Sequence, residues 1–167
     1  GHCLFETEEE ARENVRKALE IYDDLGRDLL AIPFLKGRKS EQEKFAGAVA
    51  TYTIEALMPD GKALQSGTSH YLGQGFAEAY GIQFQGRDTK LQIPHQTSWG
   101  VSTRLLGALI MVHGDDNGLV LPPRVAPTQV VIVPVRQQAE GVLDACKEIA
   151  ANLKKQGIRV KLDDNES

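Results

Sequence analysis

The sequence predicts an α+β protein, in which an antiparallel sheet with flanking helices is followed by the beginning of an α/β unit. Residues 49–58 alternate between apolar and polar side chains, as the residues of a half-buried strand do. The Pro-Asp-Gly at 59–61 is typical of a turn, so residues 62–70 are expected to return antiparallel as a hairpin. The run QVVIVPV at 129–135 is continuously apolar, which is typical of a buried parallel strand. The chain therefore combines an antiparallel part with a βαβ part.

The first predicted helix begins after Thr7 and reaches about residue 31. Thr7 and Glu10 have the spacing of a capping box, and apolar residues then recur at helical spacing. Glu13 and Lys17 are expected to form an exposed ion pair one turn apart on this helix.

Shorter elements are predicted for the middle of the chain. The polar segment GRKSEQEKFAGA, residues 37–48, is predicted to be a loop. Local patterns predict two helices and three strands: helices over 73–80 and 103–112, and strands over 82–85, 91–96 and 97–102.

The change of pattern places a domain boundary near Pro127, so we predict one domain over residues 1–126 and a second over 127–167. In the second domain, an apolar helical stripe ends before Gly157 and is followed by a strand. A single βαβ unit cannot bury both faces of its sheet, so this domain is expected to be incomplete. The first and last residues of the chain lead to the expectation that it is cut from a larger protein.

Composition and charge are those of an ordinary globular protein. The chain has 167 residues, of which 41% are hydrophobic and 25% charged, and its formal net charge is −4. This charge argues against attraction of nucleic acid to the whole surface and leaves a local basic patch open. No apolar run has the length of a membrane span, and the two cysteines, Cys3 and Cys146, are isolated. We therefore predict no membrane contact and a cytoplasmic location.

Two familiar kinds of chemistry do not fit the sequence. Ser69 and His70 are adjacent, and neighbouring residues on a strand point to opposite faces, which argues against a nucleophile–base pair. The four histidines, at positions 2, 70, 95 and 113, lack the spacing of a zinc site, so no metal-binding residue is predicted. The sequence also has neither a P-loop nor a dinucleotide-binding fingerprint.

Arg104 is the residue that most favours a ligand. It stands in the first turn of the predicted helix 103–112, where a cation opposes the helix dipole at a cost of about half a kcal/mol. An anion between the helix start and the guanidinium removes that penalty, and phosphate suits the planar fork of arginine. Ser102 and Thr103 add hydroxyl groups at the same end. The alternative is a surface arginine whose aliphatic stem covers apolar neighbours.

Several consecutive motifs resemble those of the prolyl-tRNA synthetases, which are class II aminoacyl-tRNA synthetases. GTSH (67–70), SWGVSTR (98–104), MVHGDD (111–116) and GLVLPPR (118–124) occur in this order, and the likeness extends over nearly the whole chain. The eukaryote-like and archaeal-like branch, which also occurs in bacteria, is the better match. No inserted editing domain is found.

The resemblance implies an ATP site. Arg104 falls on the arginine of the third class II motif, which grips the ATP phosphates, and it is the expected catalytic residue. Gln65 and Thr68 match residues that contact the nucleotide. Ser102 and Thr103 align with a pair that is commonly Thr-Thr and belong to the same site, so Ser102 is a conservative departure.

The resemblance also implies a proline-binding pocket made by His70, Trp99 and Gly100. The indole of Trp99 suits an apolar wall for the pyrrolidine ring, and packing in the core is the alternative.

The implied roles require a change of phase in the strand that carries GTSH. In an ideal strand Thr68 and His70 share a face, while Gln65 points the other way. We therefore predict a bulge at residues 66–67, which would bring all three side chains to one face.

For the whole protein, the resemblance implies a proline–tRNA ligase. Proline and ATP, with Mg²⁺, would give prolyl-adenylate, and tRNA(Pro) would then receive the prolyl group. Positioning and charge stabilisation supply most of the catalysis in such a reaction. A homodimer is expected.

Part of the family's catalytic machinery should precede Gly1, so this chain alone is expected to be inactive. The final βαβ segment matches the start of the family's anticodon-binding domain, where basic residues such as Arg159 are candidates for phosphate contacts. Two alternatives remain: a noncatalytic synthetase-like protein with an RNA-binding or regulatory role, and a class II synthetase for another amino acid.

Overall fold

The computed structural model describes residues 1–164, and the chain divides into two compact units, Gly1–Val120 and Leu121–Ser167. The helices of the first unit are α1 (Glu8–Asp24), α2 (Gly75–Tyr80) and α3 (Arg104–His113). Its strands are β1 (His2–Phe5), β2 (Leu35–Arg38), β3 (Ala50–Leu57), β4 (Ala63–Gly73), β5 (Phe84–Gln85), β6 (Leu91–Gln92) and β7 (His95–Val101). The second unit contains β8 (Val130–Ile132), α4 (Val142–Lys155) and β9 (Val160–Leu162). No helix within residues 1–164 is long and apolar enough to cross a membrane.

The sheet of the first unit confirms the predicted antiparallel architecture. Its five strands lie in the order β1-β7-β4-β3-β2, and every neighbouring pair runs antiparallel. The predicted hairpin is the β3–β4 pair, whose turn is closed by a 2.8 Å hydrogen bond from the Met58 amide to the Lys62 carbonyl. Strand β4, which carries the GTSH motif, lies at the centre of the sheet.

Helix α1 packs on one face of this sheet, and it confirms the predicted capping box. The Thr7 hydroxyl accepts a hydrogen bond from the Glu10 amide, and the Glu10 carboxylate accepts one from the Thr7 amide. The core between helix and sheet is formed by Ala11, Val15, Ala50 and Tyr71. Cap and apolar stripe together therefore define both the start of the helix and the face it buries.

The surface and the last turn of this first helix differ from the prediction. Glu13 pairs with Arg16 and not with the predicted Lys17. Two N–H groups of Arg16 donate to one carboxylate oxygen of Glu13. The helix continues close to the predicted end, but Leu25–Leu30 form a π-helical turn. It stops at Ala31, which adopts the left-handed conformation (φ 52°).

The predicted loop 37–48 is wrong at its beginning, where β2 forms an edge of the sheet. Gly37 and Arg38 pair with Thr53 and Tyr52 of β3. All four residues of β2 are exposed, so the strand lacks the apolar alternation by which strands are predicted. Charged residues are common on edge strands because they discourage further pairing.

The remaining elements of the first unit form with shifted bounds. The predicted helices 73–80 and 103–112 are confirmed as α2 and α3. Within the segments 82–85 and 91–96 lie the short strands β5 and β6, which pair with each other outside the main sheet. The strand predicted from residue 97 begins at His95.

In the second unit, β8 and β9 pair in parallel and α4 connects them, as predicted for a βαβ unit. Gly157 follows the helix with φ 79°, a conformation that favours glycine. Arg159 donates from Nε to the Ala126 carbonyl at 2.9 Å, and from Nη2 to the Pro123 and Arg124 carbonyls at 3.0 Å. These donors fasten the segment before β8 to the start of β9, so they are not free for a phosphate. The assignment of residues 1–126 and 127–167 to two domains stays a prediction.

Candidate active site

The two faces of the main sheet have different surroundings. Helix α1 covers one face, where Ser69 Oγ donates to the Val15 carbonyl at 3.2 Å and Thr97 Oγ1 donates to Asn14 Oδ1 at 2.8 Å. We call the opposite face the site face; it bears the side chains of Gln65, Thr68 and His70. The predicted site is built on this face.

The predicted bulge at residues 66–67 is confirmed by the pairing of β3 with β4. Gly67 lies opposite Ile54, and Gln65 lies opposite Glu55, so Ser66 is an extra residue in β4. On the other side of the bulge, Thr68 lies opposite Thr53 and His70 opposite Thr51. Since residues 51, 53 and 55 alternate regularly along β3, their partners Gln65, Thr68 and His70 share one face. This face also carries Gly100, the partner of Thr68 in β7.

Glycine is needed at position 67 because a side chain would have no room there, and not because the backbone is left-handed. A Cβ atom at this position would lie 2.9 Å from Cγ1 of Val101 and 3.1 Å from Cγ1 of Ile54. Ile54 is completely buried, so it has little room to move. Glycine at this position thus avoids a clash with two neighbouring side chains, of which that of Ile54 is buried.

His70 is held by a hydroxyl group and an aromatic ring. Its Nδ1 lies 2.9 Å from Thr51 Oγ1, and its ring centroid lies 5.2 Å from that of Phe45. Burial lowers the pKa of His70, and the positive charge of Lys39 lowers it further. The Thr51 hydroxyl already accepts a hydrogen bond from the Phe45 amide, which favours donation of its own proton to Nδ1. His70 is therefore a neutral imidazole at pH 7 with its other nitrogen, Nε2, available as an N–H donor.

Phe45 was not among the sequence-predicted site residues, although its ring packs against His70. Its centroid also lies 6.3 Å from that of Phe76 in α2, and 52% of the residue is exposed. Phe45 stands in the polar segment between β2 and β3, where no periodic pattern marks it. The sequence offered no signal beyond an aromatic residue in an otherwise polar segment.

Arg104 lies at the other end of the central strand. It is the first residue of α3, its amide donates to Ser102 Oγ at 3.3 Å, and its Nη1 donates to the main-chain carbonyl of Gln65 at 3.1 Å. Thr103 precedes it as the N-cap and makes no capping hydrogen bond with its side chain. Arg104, Ser102 and Thr103 are all exposed, so guanidinium and hydroxyl groups face solvent together. The guanidinium has further N–H donors with which it can bind an anion.

Trp99 does not join His70, which corrects the predicted grouping of the two in one pocket. Trp99 lies opposite Ser69, on the face covered by α1, whereas Ser98 and Gly100 lie opposite His70 and Thr68. Its side chain helps to line a cavity of about 180 Å³ against α1, together with Asn14, Lys17, Ala18, Ile21 and Tyr22. With 37% of the residue exposed, the indole is partly packed and is not sealed in the core. The alternation of a strand separates Trp99 from Gly100 just as it separates Ser69 from His70.

Two further observations describe the chemistry of the site. Lys39 stands near His70 and helps to line a second cavity of about 230 Å³ at the β2–β3 edge, with Thr53 and Glu55. Within residues 1–164, no group of three or more His, Cys, Asp or Glu side chains is arranged to hold a metal ion. The donors on the site face are hydroxyl, imidazole, amide and guanidinium groups, which suit an anionic, hydrogen-bonding ligand.

Comparison with known proteins identifies relatives for both parts of the chain. Residues 129–167 match the family model of the anticodon binding domain. The chain is 64% identical over 165 residues to the proline–tRNA ligase of Acetoanaerobium sticklandii and 60% identical over 166 residues to that of Clostridium botulinum. Each alignment covers 99% of this chain and 34% of the relative. The chain thus spans about a third of the length of the curated relatives that it matches.

A solved structure has the same fold. The prolyl-tRNA synthetase of Cryptosporidium parvum, crystallised with L-proline and AMP, matches with a TM-score of 0.90 and 46% identity, over 98% of this chain and 36% of that one. Fold and sequence are therefore similar to those of a segment of the aminoacyl-tRNA synthetases. More specifically, the chain is homologous over nearly its whole length to a segment of the proline–tRNA ligases.

Proposed function

We propose that this chain serves in a proline–tRNA ligase, which activates proline with ATP and transfers it to tRNA(Pro). One observation carries the proposal: the bulge at residues 66–67 brings Gln65, Thr68 and His70 to one face, with Gly100 beside them. The relatives named above are proline–tRNA ligases, and the matching crystal structure contains proline and AMP. Because this chain corresponds to about a third of those relatives, the rest of the catalytic machinery would come from segments outside it.

The nucleotide would lie along the site face towards Arg104. The guanidinium, already oriented by the Gln65 carbonyl, would meet the phosphate oxygens in bidentate fashion. Ser102 and Thr103 would add hydroxyl donors at the same helix start, and Gln65 and Thr68 would contact the nucleotide from the strand. This arrangement stabilises the charge that develops when the carboxylate of proline attacks the α-phosphate.

Proline would lie beside His70 and Gly100. A neutral imidazole can hydrogen-bond the substrate without adding charge, and the Phe45 ring offers an apolar surface next to it. Gly100 has no side chain, so the substrate can approach the main chain of β7 closely. Trp99 would take part through its main chain, because its indole lies on the other face.

The other parts of the proposal concern cofactor, location and partners. Mg²⁺ would accompany ATP and neutralise its phosphates, and we assign no residue of this chain to the ion. Residues 127–167 would begin the anticodon-binding domain that contacts tRNA(Pro), in agreement with the family match. We further propose a cytoplasmic homodimer, following the resemblance to the synthetase family.

A segment replacement tests the proposal. This chain is placed in the A. sticklandii ligase in exchange for the third of that enzyme to which it aligns, and proline-dependent exchange of pyrophosphate into ATP is measured. We expect exchange within about tenfold of the parent ligase, and none from the 167-residue chain alone. A folded hybrid that still binds tRNA but neither exchanges pyrophosphate nor binds ATP would refute the proposal and favour a noncatalytic role. Exchange that depends on an amino acid other than proline would favour a sister synthetase.

A further inference from the structure

Tyr22 of α1 lies behind the point where two predicted ligand-binding residues meet. Thr68 of β4 and Gly100 of β7 are directly opposite each other in the sheet. Tyr22 approaches them from the opposite face, its side chain is only 3% exposed, and its hydroxyl donates to the Thr68 carbonyl at 3.1 Å. Helix α1 therefore reaches the main chain of the site from behind.

The same phenol group also interacts with the neighbouring strand. Burial raises the pKa of Tyr22, while a hydrogen bond from the main chain of Gly100 acts in the opposite direction, because it favours the phenolate. The hydroxyl group thus donates to the Thr68 carbonyl of β4 and lies close to the main chain of Gly100, the partner of Thr68 in β7. It therefore lies behind the main chains of a predicted nucleotide-binding residue and a predicted proline-binding residue.

The other polar contacts between α1 and these strands do not have this property. Ser69 and Thr97 bond to the helix through their own side chains, which point away from the site face. Tyr22 instead bonds to the main chain of Thr68, whose side chain lies on the site face. A small shift of that main chain moves the groups that would contact the substrates.

We propose that Tyr22 is a positioning residue, whose hydroxyl sets the relative placement of the Thr68 and Gly100 main chains and hence of the nucleotide and proline beside them. The inference rests on the proposed function. Displacements well below 1 Å alter the alignment of reacting groups, which is why a residue on the far face can affect catalysis.

Two matched variants test this role. Tyr22→Phe keeps the ring and removes the hydroxyl, and Ser69→Ala removes a hydroxyl-to-carbonyl bond between β4 and α1 one residue away from Thr68. In the segment-replaced ligase, we expect Tyr22→Phe to raise KM for both ATP and proline about fivefold to tenfold, the equivalent of one hydrogen bond. Ser69→Ala should leave both KM values within twofold, although it destabilises the fold by a similar amount.

Amide hydrogen exchange in the intact 167-residue chain provides a second readout, which does not depend on activity. The Gly100 amide should exchange several-fold faster in Tyr22→Phe than in the unsubstituted chain, and Ser69→Ala should not accelerate it. Equal KM changes in both variants, or an unchanged Gly100 exchange rate in Tyr22→Phe, would overturn the role of Tyr22. An unsubstituted hybrid without proline-dependent exchange would instead refute the proposed function, so the two failures are distinguishable.

Discussion

Replacing Gly67 with alanine tests the physical basis of the bulge that assembles the site. The added Cβ would lie 2.9 Å from Cγ1 of Val101 and 3.1 and 3.3 Å from two atoms of Ile54. Overpacking of this kind costs about 1–3 kcal/mol. The loss of backbone freedom in the unfolded state offsets about 0.4–1 kcal/mol of that cost. The clash is the larger effect, so the expected net loss of stability is about 1–2 kcal/mol.

The loss can be measured by denaturant unfolding of the whole chain, with the fluorescence of Trp99, its single tryptophan, as the signal. A loss of this size also lowers the Tm by about 2 to 8 °C for a protein of this length. Because Val101 is 45% exposed and Ile54 is completely buried, the double variant Gly67→Ala/Val101→Ala should recover part of the stability.

Gly37→Ala is the matched control for this prediction. Gly37 is also a strand glycine, but nothing lies within 4 Å of a Cβ added there, so its substitution should be nearly neutral. If Gly67→Ala is as stable as Gly37→Ala, or if Val101→Ala brings no relief, close packing is not the reason for glycine at the bulge. The steric argument would then be wrong.

Three further predictions concern single side chains. The pKa of His70, measured by NMR, should lie below the ordinary value of 6.5 and should rise in Lys39→Met. Because the fold favours the neutral imidazole, the contribution of His70 to stability is complete above pH 6.5 and is lost as the pH falls through the lowered pKa. Arg104→Lys keeps the positive charge but loses the planar fork, so pyrophosphate exchange by the segment-replaced ligase should fall about 10²-fold. The midpoint of unfolding of the protein should stay unchanged, because Arg104 is exposed. A loss of exchange that is accompanied by a lowered midpoint would contradict a role in ligand binding. Arg159→Lys should destabilise the second unit by about 1 kcal/mol, because a lysine ammonium cannot reproduce the bonds that Nε and Nη2 make to three carbonyls. Lys161→Met should have no comparable effect, and urea unfolding followed by circular dichroism measures both variants.

Much of the fold follows from local sequence patterns. The capping box of Thr7 and Glu10, the hairpin between β3 and β4, and the helix that begins at Arg104 each depend on residues close together in sequence. The bulge could be predicted only with the help of the resemblance, because the implied roles place Gln65, Thr68 and His70 in one site, whereas alternation puts Gln65 out of phase with the other two. By contrast, β2 has no apolar pattern and becomes a strand only because β3 offers it hydrogen-bonding partners.

The site itself was predictable only in part. Alternation was sufficient to separate Trp99 from Gly100, since it separates Ser69 from His70 in the neighbouring strand. The aromatic partner of His70 was not predictable by periodicity, because Phe45 lies in an irregular segment that folds back over the strand. The resemblance to a known family indicated the residue types, and only the register of the strands decided which side chains meet.

The amino-acid sequence by itself determined the caps, the turns and the antiparallel pattern, because these depend on the conformational preferences of neighbouring residues. Only the tertiary structure decided which main-chain atoms Tyr22 and Arg159 reach, and which ring covers His70. Such contacts join residues tens of positions apart, and they form when strand register and helix packing bring their atoms within hydrogen-bonding distance. No local preference of the chain encodes that distance.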